Sequence, residues 1–62
     1  MLKEYKCKEK VDLGEGVYIN PGQIVQIELE DTVNNWPMVL IDNEYWDMAF
    51  EDDEFNEFFE EV

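Results

Sequence analysis

The side chains able to do chemistry in this protein are almost all carboxylates. Seventeen Asp and Glu residues stand beside four Lys, with no Arg, Ser or His. One thiol, Cys7, and one aliphatic hydroxyl, Thr32, complete the set apart from the tyrosines. Paired carboxylates can act as acid and base on a glycosidic bond, but a 62-residue chain is too small to frame a deep cleft around them. Cys7 has no histidine to generate its thiolate and sits in an apolar row that raises its pKa, so it reads as a buried structural residue. No catalytic residue is assigned, and no enzyme is expected. Soft-metal sites need Cys and His clusters. The oxygen ligands of Asp42-Asn43-Glu44 and Glu51 to Glu54 lack the alternating spacing and mid-loop glycine of an EF-hand loop. No metal site and no cofactor are therefore expected.

What the carboxylates can do is create a field. Formal net charge is −13, and the positive charges are Lys3, Lys6, Lys8 and Lys10. Glu4 and Glu9 are the acids before Val11, which leaves 15 of the 17 in a stretch with no base at all. Such a field repels nucleic acid and anionic membranes and attracts basic protein surfaces. Direct nucleic-acid binding through Lys6, Lys8 and Lys10 is not expected; these lysines pair with the acidic tail or protect an edge strand. No apolar stretch approaches the ~18 residues of a membrane span, and no leading signal segment is expected. The lone cysteine suits a reducing cytoplasm.

The acids are densest in Asp47 to Val62, which also holds Phe50, Phe55, Phe58 and Phe59. Phe55, Phe58, Phe59 and Val62 recur at i, i+3, i+4 and i+7, which predicts an amphipathic helix over about 52–62, starting at Asp52 or Asp53 as N-cap. Asp53, Glu54, Glu57, Glu60 and Glu61 fall on its opposite face as candidate partner-binding residues. Asp53/Glu57 and Glu57/Glu61 are like charges at i,i+4, and Glu60 and Glu61 sit at the wrong end of the helix dipole. Stability given up without local gain points to function. Seven carboxylates from Glu51 to Glu61 would span about 16 Å, or one per roughly 2.4 Å. Duplex DNA carries one charge per ~1.7 Å of axis and ~3.4 Å per strand, so the density is DNA-like. Solubility alone would also produce a face of this kind.

The elements that must hold this tail are strands. Tyr5, Cys7, Val11 and Leu13 alternate with charged residues, with Glu9 breaking the inner row. Gly14-Glu15-Gly16 marks a turn, Val17-Tyr18-Ile19 a short strand, and Asn20-Pro21-Gly22 a type II turn. Val25, Ile27 and Leu29 point inward from the next strand. After a loop over Asp31 to Asn35, Trp36 to Ile41 and Glu44 to Met48 form a hairpin around Asp42-Asn43, with Tyr45 and Trp46 on opposite faces. A single domain over 1–62 follows, with four to five strands over about 2–48 and the acidic helix after them.

The run Gly16-Val17-Tyr18-Ile19-Asn20-Pro21-Gly22-Gln23-Ile24-Val25 resembles the glycine-turn-strand pattern of small SH3-like barrels. That resemblance implies an antiparallel barrel or curled sheet, capped here by the C-terminal helix. Peptide-binding SH3 domains carry paired tryptophans and clustered tyrosines that this chain lacks, so proline-rich recognition is not implied. Length and composition are similar in style to short proteins of bacteriophages and prophages, which would place the chain in a host cytoplasm.

The expectation is a non-enzymatic acidic protein engaging a basic protein surface, in its sharper form a nucleic-acid mimic that inhibits a DNA- or RNA-binding protein. The competing expectation is a structural or assembly module that oligomerises through an aromatic or β-edge surface.

Overall fold

Period-two alternation carries over from sequence to structure through most of the chain. The computed structural model describes residues 1–30, 32, 35–51 and 53–62. Among them the elements run β1 (Leu2–Cys7), β2 (Val11–Gly14), β3 (Val17–Ile19), β4 (Ile24–Glu28), β5 (Met38–Ile41), β6 (Glu44–Asp47), α1 (Glu54–Phe58) and β7 (Phe59–Glu61). The fold is mainly β and antiparallel. A five-stranded sheet has the order β6-β5-β4-β1-β7, and β2-β3 form a separate hairpin. Of the two expected forms, barrel or curled sheet, the closed barrel is not the one present. The larger sheet ends in two edges, β6 and β7.

Strands outnumber the expected four to five because two local readings were incomplete. The stretch from Leu2 to Leu13 is two strands. At Cys7 the backbone pairs with the Pro21-Gly22 turn region: its N–H donates to Gln23 O at 2.8 Å, and Gly22 N–H donates to Cys7 O at 2.8 Å. Beyond it, Lys8 N–H donates to Phe58 O at 2.7 Å, and the chain leaves the large sheet to begin the hairpin. The out-of-phase Glu9 marks this crossing.

Turn chemistry follows the residues. Gly22 at φ 90° and a 3.1 Å bond from Gln23 N–H to Asn20 O match the expected proline–glycine turn. Asp42 and Asn43 both hold positive φ (50° and 65°), as a two-residue hairpin loop of type I′ requires. Asn and Asp tolerate this region better than other residues with a Cβ. Of the expected loop before β5, Asp31, Val33 and Asn34 lie outside the described residues.

The core lies between the inner face of the large sheet and the β2-β3 hairpin. Tyr5, Cys7, Val25, Ile27 and Val39 are buried from the sheet, Val11 and Ile19 from the hairpin, and Met48 and Phe59 from the C-terminal third. Leu29 does not join them: β4 ends at Glu28, and Leu29 is exposed. Trp46 packs on the core while Tyr45 faces solvent, as alternation requires.

The tail departs most from expectation. α1 covers only Glu54 to Phe58, too short to present a distinct amphipathic face, and Phe59 is extended at φ −136°, ψ 148°. From there the chain becomes β7, with Cys7 opposite Phe59, Lys6 opposite Glu60 and Tyr5 opposite Glu61. Val62, expected on the buried face, is 72% exposed. Of the two expected start positions, Asp53 stands at the N-cap without a side-chain capping bond, and Asp52 lies outside the described residues. An eleven-residue helix would have kept Glu57 and Glu61 at i,i+4 and set Glu60 and Glu61 against the dipole. Pairing with the open edge of β1 satisfies backbone groups and places those two glutamates beside lysine-bearing β1 instead.

The phenylalanines still hold the tail down. Phe50 stacks on Phe58 at 5.0 Å between centroids, Phe55 on Phe59 at 5.3 Å, and Tyr5 meets Phe55 edge-on at 5.1 Å. Offset and edge-on pairs of this kind add about 0.5–1.5 kcal/mol each beyond burial. Among the described residues no helix is long and apolar enough to cross a membrane.

Candidate acidic binding surface

The five tail acids do not share one face. The change from helix to strand at Phe59 sorts Asp53, Glu54, Glu57, Glu60 and Glu61 into three places. Asp53, Glu54 and Glu57 stay with α1, where together with Glu51, Trp36 and Phe50 they line an open groove of about 550 Å³. Glu60 lies opposite Lys6 on the outer sheet face, because Phe59 beside it is buried and successive strand residues point opposite ways. Glu61 returns to the side of Phe59, and its carboxylate is 3.8 Å from Lys3 Nζ. The even charge ladder of one continuous helix is therefore not present.

The start of α1 is pinned by reciprocal bonds. Glu51 N–H donates to Glu54 Oε1 at 2.8 Å, and Glu54 N–H donates to Glu51 O at 2.9 Å. One oxygen of Glu54 is thus engaged locally. The carboxylates of Glu51, Asp53 and Glu57 have no hydrogen bond or ion pair among the described residues. No internal ion pair has to be broken before they can form charge-assisted hydrogen bonds with a cationic partner.

Three of the four lysines make a side-chain contact, none of them an ion pair with a groove acid. Lys3 faces Glu61, and Lys8 Nζ donates to Asn56 O within α1. Lys10 Nζ stands 4.4 Å from the Tyr18 ring centroid, and Lys6 is in register with Glu60. The expected pairing of Lys6, Lys8 and Lys10 with the tail acids is met by no ion pair among the described residues; the ion pair to the tail comes from Lys3. The groove is left with four carboxylates and no internal cation among the described residues.

Trp36 is the groove residue that sequence reading missed as a site component. Its apolar, β-prone neighbourhood predicts the start of a strand, whereas β5 begins at Met38 and Trp36 remains 39% exposed beside the acids. No local pattern joins it to Glu57, because only the return of the chain through β5 and β6 brings them together. Glu51 was missed for a related reason, since a continuous helix would have turned it among the phenylalanines.

The thiol is built into the structure. Cys7 is 1% exposed, with Sγ donating to Glu9 O at 2.9 Å. Burial pushes its pKa up from the ordinary value, partly offset by that bond. Among the described residues, no group of three or more Cys, Asp or Glu is placed to hold a metal ion. Comparison with known proteins finds no matching family model, no similar curated protein and no similar solved structure.

Proposed function

We propose that this is a non-enzymatic acidic binding protein that engages a basic protein surface through the α1 side of its tail. The observation that carries this reading is the groove of Glu51, Asp53, Glu54 and Glu57. Their charge is neutralised by none of the lysines and stands beside the half-exposed indole of Trp36. Carboxylates next to an aromatic face suit Lys and Arg side chains, which gain ion pairing and cation–π attraction together. Net charge −13 adds long-range steering that fades with salt.

Inhibition by nucleic-acid mimicry is the sharper form of the proposal. Its support is the charge itself rather than an even spacing. Against the assembly reading stands the charge of the sheet edges: β6 carries Glu44 and Asp47, and β7 carries Glu60 and Glu61. Edge-to-edge pairing of two copies would set like charges against each other.

Affinity capture from a cell lysate along a salt gradient tests the proposal. The comparison is between the native chain and a variant with Glu51→Gln, Asp53→Asn, Glu54→Gln and Glu57→Gln. Basic proteins should elute from the native chain at moderate salt and be lost from the variant. Equal capture by both would refute the assignment. For mimicry, duplex DNA should displace the captured protein; failure to do so removes that form alone.

A further inference from the structure

The outer face of the large sheet carries an apolar stripe that the tail does not use. Register sets Tyr45 beside Leu40 and Leu40 beside Gln26. Met38 lies two residues from Leu40 along β5, and Ile24 two residues from Gln26 along β4, so all share one face. The residues between them, Val25, Ile27, Val39 and Trp46, point to the core. Tyr45 and Ile24 are 51% and 54% exposed, and Met38 and Leu40 are half-buried. The β2-β3 hairpin and α1 pack on the opposite face, with Val11, Ile19 and Phe55 in or against the core.

Strand spacing and rise make the line Met38–Leu40–Ile24 about 15 Å long. Three turns of α-helix span roughly 16 Å. The stripe is flanked by acids on both sides: Asp47 lies opposite Met38 on β6, Glu28 opposite Met38 on β4, and Glu4 opposite Gln26 on β1. Glu28 pairs with the N-terminal ammonium, while Glu4 and Asp47 have no ion pair among the described residues. Lys6, next to Ile24, is the cation within the strands at this face and is in register with Glu60. Beside Met38 and Tyr45, Glu28 and Glu30 complete an open pocket of about 230 Å³, room for one anchoring side chain.

We propose that this face docks a basic amphipathic helix of a partner protein. Apolar residues at i, i+3, i+4 and i+7 would lie along Met38, Leu40, Tyr45 and Ile24, and Lys or Arg on either side would meet Asp47 and Glu4. Charge complementarity selects this occupant. A second copy would bring another chain of net charge −13 and the same flanking acids, and an anionic membrane would be repelled. The surface is separate from the α1 groove and does not depend on it.

The probe is a synthetic 14-residue Leu/Lys peptide patterned as an amphipathic helix, compared with oligolysine of the same charge. Binding is read by fluorescence anisotropy and mapped by amide chemical shifts. The Leu/Lys peptide should perturb Gln26, Met38, Leu40 and Tyr45. Leu40→Asp and, separately, Tyr45→Ala should each weaken it by about tenfold or more while circular dichroism stays native. Oligolysine should be indifferent to both substitutions. Peptide binding unchanged in the folded Tyr45→Ala chain, shifts confined to Glu51–Glu57, or sedimentation as a dimer with the face covered would each overturn the proposal. Equal lysate capture by the native chain and the α1 groove variant, with peptide binding intact, would refute the groove assignment and leave this inference standing alone.

Discussion

One short tail presents its acids in two ways, and the contrast is informative. In β7, Glu60 and Glu61 face Lys6 and Lys3 across the strand pair. In α1 and just before it, Glu51, Asp53 and Glu57 make no ion pair among the described residues. The residue types are the same, and the secondary structure decides which of them meet the lysines of β1. Where a strand forms, the acids stand opposite lysines; where the helical turn remains, they have no ion pair among the described residues.

Phe59 divides the two regions, so replacing it should have the largest effect. It is buried, stacks on Phe55, and its backbone starts β7 opposite Cys7. Phe59→Ala should cost about 3–5 kcal/mol in urea unfolding. That is most of the stability of a domain this small. If the cost is under ~1 kcal/mol, the tail is not integrated into the core as described.

Salt should separate the regions without a mutation. Raising ionic strength screens the self-repulsion of a −13 chain, and a gain of ~1 kcal/mol would raise Tm by roughly 4–8 °C. Neutralising the α1 acids by Asp53→Asn and Glu57→Gln should give part of this gain in low salt, a few tenths of a kcal/mol per relieved repulsion. Glu61→Gln should give little or none, because it removes a repulsive charge and the Lys3 pairing together. Both ends of that pair are more than half exposed, so its own worth is small. Equal gains from the two variants would erase the distinction.

The strands were legible in the sequence because alternation and turn residues are local signals. Tyr5, Cys7, Val25 and Ile27 read as inward from period two alone, and Asn20-Pro21-Gly22 and Asp42-Asn43 supplied the reversals. The tail was misread because Phe55, Phe58, Phe59 and Val62 have a spacing that truly suits a helix. What overrides it is the open edge of β1, some fifty residues away, which no window around Phe59 contains. The candidate site was half legible for the same reason. Asp53, Glu54 and Glu57 remain together, whereas Glu60, Glu61 and Trp36 were placed by long-range pairing. Leu29 failed differently: it keeps the alternation, but β4 stops one residue earlier.

Cys7 reports on β7 from beneath. It lies in register with Phe59 and is 1% exposed, and burial holds its thiol pKa up. A thiol reagent at pH 8 should label it only through opening, slowed by about 10³-fold or more against the unfolded chain if opening is global. If β7 detaches alone, labelling will be faster than global unfolding allows and insensitive to low urea. That outcome would make the strand half of the tail a dynamic element rather than a fixed part of the sheet.

The smallest effect concerns Glu28, where a carboxylate outside the tail is also tied down. The N-terminal ammonium hydrogen-bonds its side chain, and Glu30 N–H donates to Oε2 at 3.1 Å. These contacts, the ammonium first, lower its pKa from the ordinary glutamate value. A group depressed in the folded state contributes stability that is present above its unfolded pKa and lost as pH falls through its folded pKa. Glu28→Gln should therefore flatten the acid limb of the stability–pH curve below the ordinary glutamate pKa and leave the neutral region nearly unchanged. Identical acid limbs for Glu28→Gln and the native chain would mean that the ammonium pairing contributes nothing in solution.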